Sequence, residues 1–509
     1  LEREHDSAVT AAVPRTRALM DEIRRRMAAR SLNPGERLPS IRGFAAAMGV
    51  SPSTVVEAYD RLAAEGLIRS RPGSGFFVEG AVPPLALSEV EPRRDRTIDP
   101  FWVSRQSLDA RPATLRPGCG WLPADWMPEA AIRRAIRRLG RAEPGLLADY
   151  GPTRGSLALR SLLARQFAME GIKAGADEIL LTATGTQALD LLCRLLLQPG
   201  DAVLLDDPGY FNVQALLRAH RVRIVSVPHT PAGPDAARFA EIVAREKPRL
   251  YITNSAIHNP TGASLSPQTA HRVLVAAAAN GIVIVEDEIF ADFEPDPSPR
   301  YAVLAGLGRC GGGSGGASAD VVRIGSFSKT LSASIRCGYI AARADWIEGL
   351  IDLQVETNFG GPSPIAAELV VSTLSDGSYR KHLSALRLRL ARRRQEVATA
   401  LAAIGIRPWT IPRGGFSLWC RLPDARDAGE VATAALTHDV VLAPGNVFSP
   451  GRSAGDLMRF NVAQMDDRVM DVLRRCLAAT PVALEPAASP FDEPAPSIRP
   501  DPIRVAGDG

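Results

Sequence analysis

The sequence predicts a multidomain chain in which a small helical module closed by a β-hairpin precedes a large α/β domain with a mostly parallel sheet. Three observations predict this. A chain of 509 residues is longer than one hydrophobic core usually serves. Its first 79 residues carry helical apolar periodicity that ends in a Gly-rich turn. Beyond residue 116, short apolar runs alternate with helical stretches, the pattern of a parallel sheet covered by helices.

Bulk composition narrows the classes. A formal net charge of +4 is too small for a protein that coats nucleic acid along its whole length. Charge is uneven, however: residues 15–78 hold 11 arginines against 6 acidic residues, which favours local phosphate contacts. The cysteines at 119, 193, 310, 337, 420 and 476 form no CxxC pair and read as reduced thiols, with no metal site expected. No long apolar run or charged leader stands out, so a soluble cytoplasmic protein without membrane contact is expected.

The first module is expected over residues 10–79. Leu19, Ile23 and Met27 recur at helical spacing, and Asn33-Pro34-Gly35 breaks that helix. Ser40 is the N-cap of a short second helix carrying Ile41, Phe44, Ala45 and Met48, which Gly49 ends. Ser51-Pro52-Ser53 opens a third helix with proline just inside it. Val55, Val56, Tyr59 and Leu62 are its expected inward residues, and Gly66 its stop. Leu67 to Val78, interrupted by Pro72-Gly73-Ser74-Gly75, reads as a hairpin.

That order is the winged helix-turn-helix plan. The segments Gly35-Glu36-Arg37-Leu38-Pro39-Ser40-Ile41-Arg42, Gly49 to Val55 and Leu67 to Val78 together resemble a GntR-family reading head. The resemblance implies binding to a double-stranded DNA operator. Arg37, Ser40, Arg42, Ser53, Thr54 and Arg71 are the residues placed near DNA. A helix opening Ser-Pro-Ser-Thr presents its N-terminus and hydroxyls to phosphates and base edges.

Residues 80–115 read as a linker, with Pro83, Pro84, Pro92, Pro100 and Pro112 among charges. The body spans 116–480. Strands are expected at 178–182, 202–205, 249–253, 282–286, 321–324 and 338–341. Gly311 to Ala319 is a Gly/Ser insert, and 481–509, rich in Pro, Asp and Ala, is expected to be a disordered tail.

Chemistry concentrates at the strand ends. Lys329 follows an apolar strand in Ser326-Phe327-Ser328-Lys329, with Arg336 seven residues on. A lone lysine is a surface residue by default, but hydroxyls and a guanidinium beside it form a phosphate cradle around a candidate nucleophile. Gly185, Thr186 and Gln187 open a helix directly after a strand, where backbone amides bind phosphate. Tyr210, in Asp207-Pro208-Gly209-Tyr210, offers a flat face for a ring. Asn259, in Asn259-Pro260-Thr261-Gly262, can reach a ring hydroxyl, although Asn, Pro and Gly also favour a plain turn. Asp287 closes an apolar strand and is picked over Glu286 and Glu288 by strand alternation. Arg459 is a candidate clamp for a carboxylate, and Tyr150 lies in a loop that can close over a ligand. A lysine, a phosphate cradle, a ring-nitrogen carboxylate and a stacking face are what pyridoxal 5′-phosphate (PLP) requires.

In this order the motifs resemble a fold-type-I aminotransferase domain over about residues 116–480, with a smaller C-terminal α/β subdomain. The resemblance implies that Lys329 forms the internal aldimine, Asp287 holds the pyridine nitrogen and Asn259 the ring hydroxyl. It also implies that Tyr210 stacks on the ring, that Gly185, Thr186, Ser326, Ser328 and Arg336 hold the phosphate, that Arg459 takes a substrate carboxylate, and that Tyr150 crosses a dimer. Two positions depart from the family pattern. Phe290 stands where a tyrosine usually bonds the ring hydroxyl, and Ala333 where a proline is common.

Reading head plus aminotransferase-like body is similar to MocR-type regulators. That resemblance implies a homodimer that binds PLP and a small amine or amino-acid effector. Three readings follow: a PLP-dependent transcriptional regulator, a working aminotransferase with an appended head, or a DNA-binding protein with a degenerate scaffold. Intact Lys329 and Arg336 argue against the third.

Overall fold

The computed structural model describes residues 15–28, 32, 35–79, 106–108, 111–307, 319–359 and 361–480. Most of the expected linker, the Gly/Ser insert up to residue 318, Cys310 and the expected tail lie outside the described residues. The chain divides into two compact units, residues 1–95 and 96–509.

The first unit follows the sequence closely. Helices α1 (Arg15–Ala28), α2 (Ile41–Met48) and α3 (Pro52–Ala64) precede strands β1 (Ile68–Arg71) and β2 (Gly75–Val78). Ser40 caps α2 by accepting from the Gly43 amide at 3.1 Å, and Gly49 ends that helix at φ 63°, a conformation that favours glycine. Ser51 caps α3 and Pro52 opens it. Leu19, Ile23, Phe44, Val55, Tyr59 and Leu62 form the core, and the Tyr59 hydroxyl donates to the Pro39 carbonyl at 2.9 Å. Val56, expected to point inward, is 38 % exposed. Val55, Ala58, Tyr59 and Leu62 already fill the buried stripe of α3, and a one-residue step turns Val56 about 100° away from it.

The second unit is built on an eight-stranded sheet. Its strands are β3 (Ile179–Thr182), β4 (Ala202–Asp207), β5 (Arg223–Thr230), β6 (Gly233–Pro234), β7 (Leu250–Thr253), β8 (Val283–Asp287), β9 (Val321–Ser326) and β10 (Gly338–Ala341). They lie in the order β3-β10-β9-β8-β7-β4-β5-β6. β9, β8, β7, β4 and β5 run parallel, while β10 is antiparallel to both its neighbours. Helices cover both faces, over cores centred on Leu159, Tyr251 and Ile284 on one side and Leu192, Val203 and Ile324 on the other. The six strands expected from sequence are present; β5 was missed because Pro228 and polar residues interrupt its apolar run.

A smaller subdomain follows. Its four strands, β11 (Arg407–Pro408), β12 (Ser417–Arg421), β13 (Ala443–Pro444) and β14 (Leu457–Asn461), pair in the order β11-β12-β14-β13 beside the long helix Ser378–Ala402. The final residues of the expected linker lie on this subdomain, where the Leu115 amide donates to the Asp439 carbonyl at 2.9 Å.

The reversed strand β10 organises the functional edge. Gly338, its first residue, pairs with Thr182 at the end of β3 and with Ser326 at the end of β9. A Cβ there would lie 2.9 Å from the Gly325 carbonyl oxygen and 3.1 Å from the Gly185 nitrogen, both backbone atoms. Gly338→Ala should therefore destabilise the body by about 1–3 kcal/mol through overpacking. This is read as a lower urea midpoint of the body's transition; an unchanged midpoint would show that β9 and the backbone at Gly185 separate freely.

Candidate cofactor cavity and DNA-reading face

At the carboxyl edge of β3, β9, β8, β7 and β4, where ligands bind in open α/β sheets, lies a cavity of about 560 Å³. Gly185, Thr186, Tyr210, Asn259, Asp287, Ser326, Ser328, Lys329, Arg336 and Arg459 all line it. Residues up to 274 positions apart are thus gathered because each follows, ends or sits on a strand.

One end is shaped for an anion. The helix Gly185–Leu196 starts three residues after β3, with Thr184 as N-cap accepting from the Gln187 amide at 2.8 Å. Free amides at that N-terminus and the helix dipole favour a phosphate. Opposite them, the Ser326 and Ser328 hydroxyls lie 2.9 Å apart. Arg336 has φ 54°, a left-handed conformation uncommon for a residue with a side chain and one that clusters at functional sites.

The other end is shaped for a ring. Burial pushes the Asp287 carboxyl up to about 6, opposed by the Ile289 amide, which donates to it at 3.1 Å. A cationic ring nitrogen facing Asp287 would hold it ionised. Tyr210 stands at the wall, with Asn212 donating to its hydroxyl at 2.7 Å. Burial, chiefly, and the cations Arg459 and Arg336 push the Lys329 amine down to about 8, while Asp287 opposes this. About a tenth of such an amine is neutral at pH 7, far more than for an exposed lysine.

Arg459 on β14 is 2 % exposed. It donates to the Asn259 side-chain oxygen at 2.8 Å and to the Gly118 carbonyl at 2.7 Å, and its Nε, also buried, has no acceptor. Burial pushes its guanidinium down to about 10. Two nominated residues stand apart from the cavity lining. The Gln187 side chain accepts from the Ala183 amide at 2.7 Å and so braces the loop. Tyr150 is 81 % exposed and packs edge-on to Phe359 with ring centroids 5.1 Å apart.

Sequence reasoning missed Arg116, Trp121, Thr184, Asn212 and Asn254, which also line the cavity. Asn254 donates to the Asp287 backbone carbonyl at 3.0 Å and so fixes the end of β8. Phe290 lines the same wall and packs on Phe416 at 5.7 Å, so an apolar contact stands where a hydroxyl is usual. Asp206, His229 and His258, all buried, also converge. Their groups serve as hydrogen-bond partners: Asp206 accepts from Tyr251 at 2.7 Å and Thr253 at 2.6 Å. The two imidazoles stack at 3.8 Å with planes 18° apart, so one ion cannot lie in both ring planes.

In the first unit, Arg37, Ser40, Arg42, Ser53 and Arg71 are exposed and Thr54 is half-buried. The Ser53 and Thr54 hydroxyls lie 2.8 and 2.7 Å from that of Ser51 at the start of α3. The Arg71 guanidinium covers the Phe77 ring at 4.5 Å, which holds it on the hairpin.

Comparison with known proteins agrees with both units. Residues 122–477 match the aminotransferase class I and II family, and residues 15–78 match the bacterial regulatory proteins of the gntR family. The chain belongs to the aminotransferase class I and II family and carries a GntR-type DNA-binding head, the domain pairing of MocR-type proteins. It is 29 % identical over 458 residues to the uncharacterized HTH-type transcriptional regulator YdcR of Escherichia coli, covering 87 % of this chain and 94 % of that protein. It is 26 % identical over 397 residues to the HTH-type transcriptional regulator NorG of Staphylococcus aureus, covering 75 % and 86 %. Among solved structures it resembles LysN, the α-aminoadipate aminotransferase of Thermus thermophilus, in complex with N-(5′-phosphopyridoxyl)-L-leucine. There the TM-score is 0.65 at 26 % identity, covering 74 % of this chain and 94 % of that one. A fold of this family implies dependence on PLP. No helix among the described residues is long and apolar enough to cross a membrane.

Two predictions follow from these geometries. The rate at which PLP attaches to cofactor-free protein should rise with pH through about 8, because the reactive form is the neutral Lys329 amine. Arg459→Gln, which removes a repelling charge, should move that midpoint upward, and Asp287→Asn should move it downward. A midpoint at the ordinary lysine value of about 10.4 would contradict the assignment. On the head, Arg42→Ala should weaken binding to upstream DNA and reduce the salt slope of log K by about 1; unchanged affinity and slope would remove Arg42 from the DNA face.

Proposed function

We propose that this protein is a PLP-dependent transcriptional regulator that reads operator DNA with its head and senses a small amine or amino acid in its body. The observation that carries this reading is the union, in one chain, of a GntR-type head and a cavity lined by Lys329, Asp287, Asn259, Arg336 and Arg459. Bound in the cavity, PLP supplies an aldehyde carbon that exchanges one amine for another and a ring that acts as an electron sink.

The chain's own residues do the rest. Lys329 holds the cofactor covalently and competes with the effector's amine. Asp287 keeps a proton on the ring nitrogen, and Asn259, itself held by Arg459, faces the ring hydroxyl. Ser326, Ser328, Arg336 and the amides at Gly185 and Thr186 take the phosphate. Arg459 takes the effector's carboxylate. Arg37, Ser40, Arg42, Ser53, Thr54 and Arg71 form the DNA face. For the effector to act on the head it must bind one state of the body better than another.

A homodimer is part of this reading. Tyr150 and Phe359, 81 % and 69 % exposed, form an aromatic pair that a second copy would cover. The presence of Lys329, Asp287, Asn259 and Arg459 in one cavity also supports a second reading, an active aminotransferase with an appended head.

Lys329→Ala should abolish the visible absorbance of lysine-bound PLP while leaving the circular dichroism spectrum unchanged; retained absorbance would contradict the assignment. Amines added to the PLP-loaded protein should shift that absorbance and change DNA affinity without multiple turnovers. Sustained keto-acid-dependent turnover, with DNA binding indifferent to amines, would instead establish the enzyme.

A further inference from the structure

The cavity holds more fixed positive charge than the assigned roles use. Its charged lining is Lys329, Arg116, Arg336 and Arg459 against one carboxylate, Asp287. Arg336 belongs to the phosphate end and Arg459 to the effector carboxylate, which leaves Arg116 without a role.

Arg116 is placed by the same backbone that fixes Arg459. The Gly118 carbonyl accepts from Arg459 at 2.7 Å, and the Pro117 carbonyl accepts from the Asn461 amide at 2.6 Å. These bonds dock the segment beginning at Arg116 against β14 and present a second guanidinium to the cavity. The hydrogen bond it makes, to the Ser107 carbonyl, is long at 3.4 Å, and its Nε is buried with no acceptor. Among the described residues, neither Arg116 nor Arg459 forms an ion pair with a carboxylate. A guanidinium fork with a sealed, unsatisfied N–H is costly to leave unpaired and is geometrically matched to a carboxylate.

We infer that the effector carries a second anionic group, that Arg116 receives it, and that the ligand class is therefore an acidic amino acid. The inference rests on the sensing role proposed above. A simple amine would leave both guanidiniums unpaired, and a neutral amino acid would satisfy Arg459 alone. Leu108 and Trp121 line the same cavity and offer apolar surface to the methylenes between the two anionic groups.

The test is titration of the full-length PLP-loaded protein with two isosteric pairs, L-glutamate with L-glutamine and L-aspartate with L-asparagine. The cofactor absorbance and DNA affinity are followed together. At least one acidic member should bind about tenfold or more tightly than its amide. In Arg116→Gln that preference should collapse to about threefold or less, and Arg116→Lys should restore part of it. Retained cofactor absorbance in both variants shows that the cavity is intact. Equal affinities for acid and amide in the natural protein, or an unchanged preference in Arg116→Gln, would overturn the role of Arg116 while leaving amine sensing standing. If no amine changes either the absorbance or DNA binding, the sensing role fails and this inference fails with it.

Discussion

Positive charge with no ion-paired carboxylate, gathered in one cavity, is the constraint on which the site depends. Arg459 is buried and Lys329 half-buried, with one carboxylate, Asp287, lining the same cavity. Such an arrangement is unfavourable until anions enter, because neither cation has an ion-paired carboxylate among the described residues and Arg459 is held only by the neutral oxygens of Asn259 and Gly118. Burial, then Arg459, lowers the affinity of the Lys329 amine for a proton, as the proposed attack on an aldehyde requires. Phosphate and carboxylate groups are the natural counterparts, and the edge of the sheet supplies hydrogen bonds for both.

The fold makes this possible through strand direction. β10 runs against β3 and β9, which brings Arg336 and Gly338 to the edge where β3 and β9 end. Were β10 parallel to its neighbours, the arginine preceding it would stand at the opposite edge. The close approach at Gly338, where an added Cβ would lie 2.9 Å from the Gly325 carbonyl oxygen and 3.1 Å from the Gly185 nitrogen, is the packing consequence of that reversal. β14 of the smaller subdomain then adds Arg459 from a different sheet, and Asn259 bridges the two at 2.8 Å.

Much of this was legible in the sequence because each strand end is marked by an apolar run that breaks into Gly, Asn, Asp or Ser. That signal located Lys329, Asp287, Asn259 and the Gly185 loop, and capping residues located α2 and α3. Arg116 carried no such signal. It sits in an irregular segment whose position depends on hydrogen bonds to Arg459 and Asn461, more than 340 residues later. Thr184 and Gln187 show the limit of motif reading: both lie at the right helix start, but the Gln187 side chain braces the backbone while Thr184 caps the helix and lines the cavity. The C-terminal sheet was visible only through resemblance, since two of its strands, β11 and β13, are 2 residues long.

A cofactor cavity and a DNA head in one chain make a regulator only if occupancy of one changes the other. Binding free energies are reciprocal, so an amine that alters DNA affinity must have its own affinity altered by DNA to the same degree. The most direct measurement is therefore the affinity of the PLP-loaded full-length protein for its effector amine, with and without saturating operator DNA. A difference of about 5–150-fold is expected, the usual range for coupled sites, matched by the same factor when operator affinity is measured with and without the amine. An effector affinity identical in the presence and absence of DNA would contradict it.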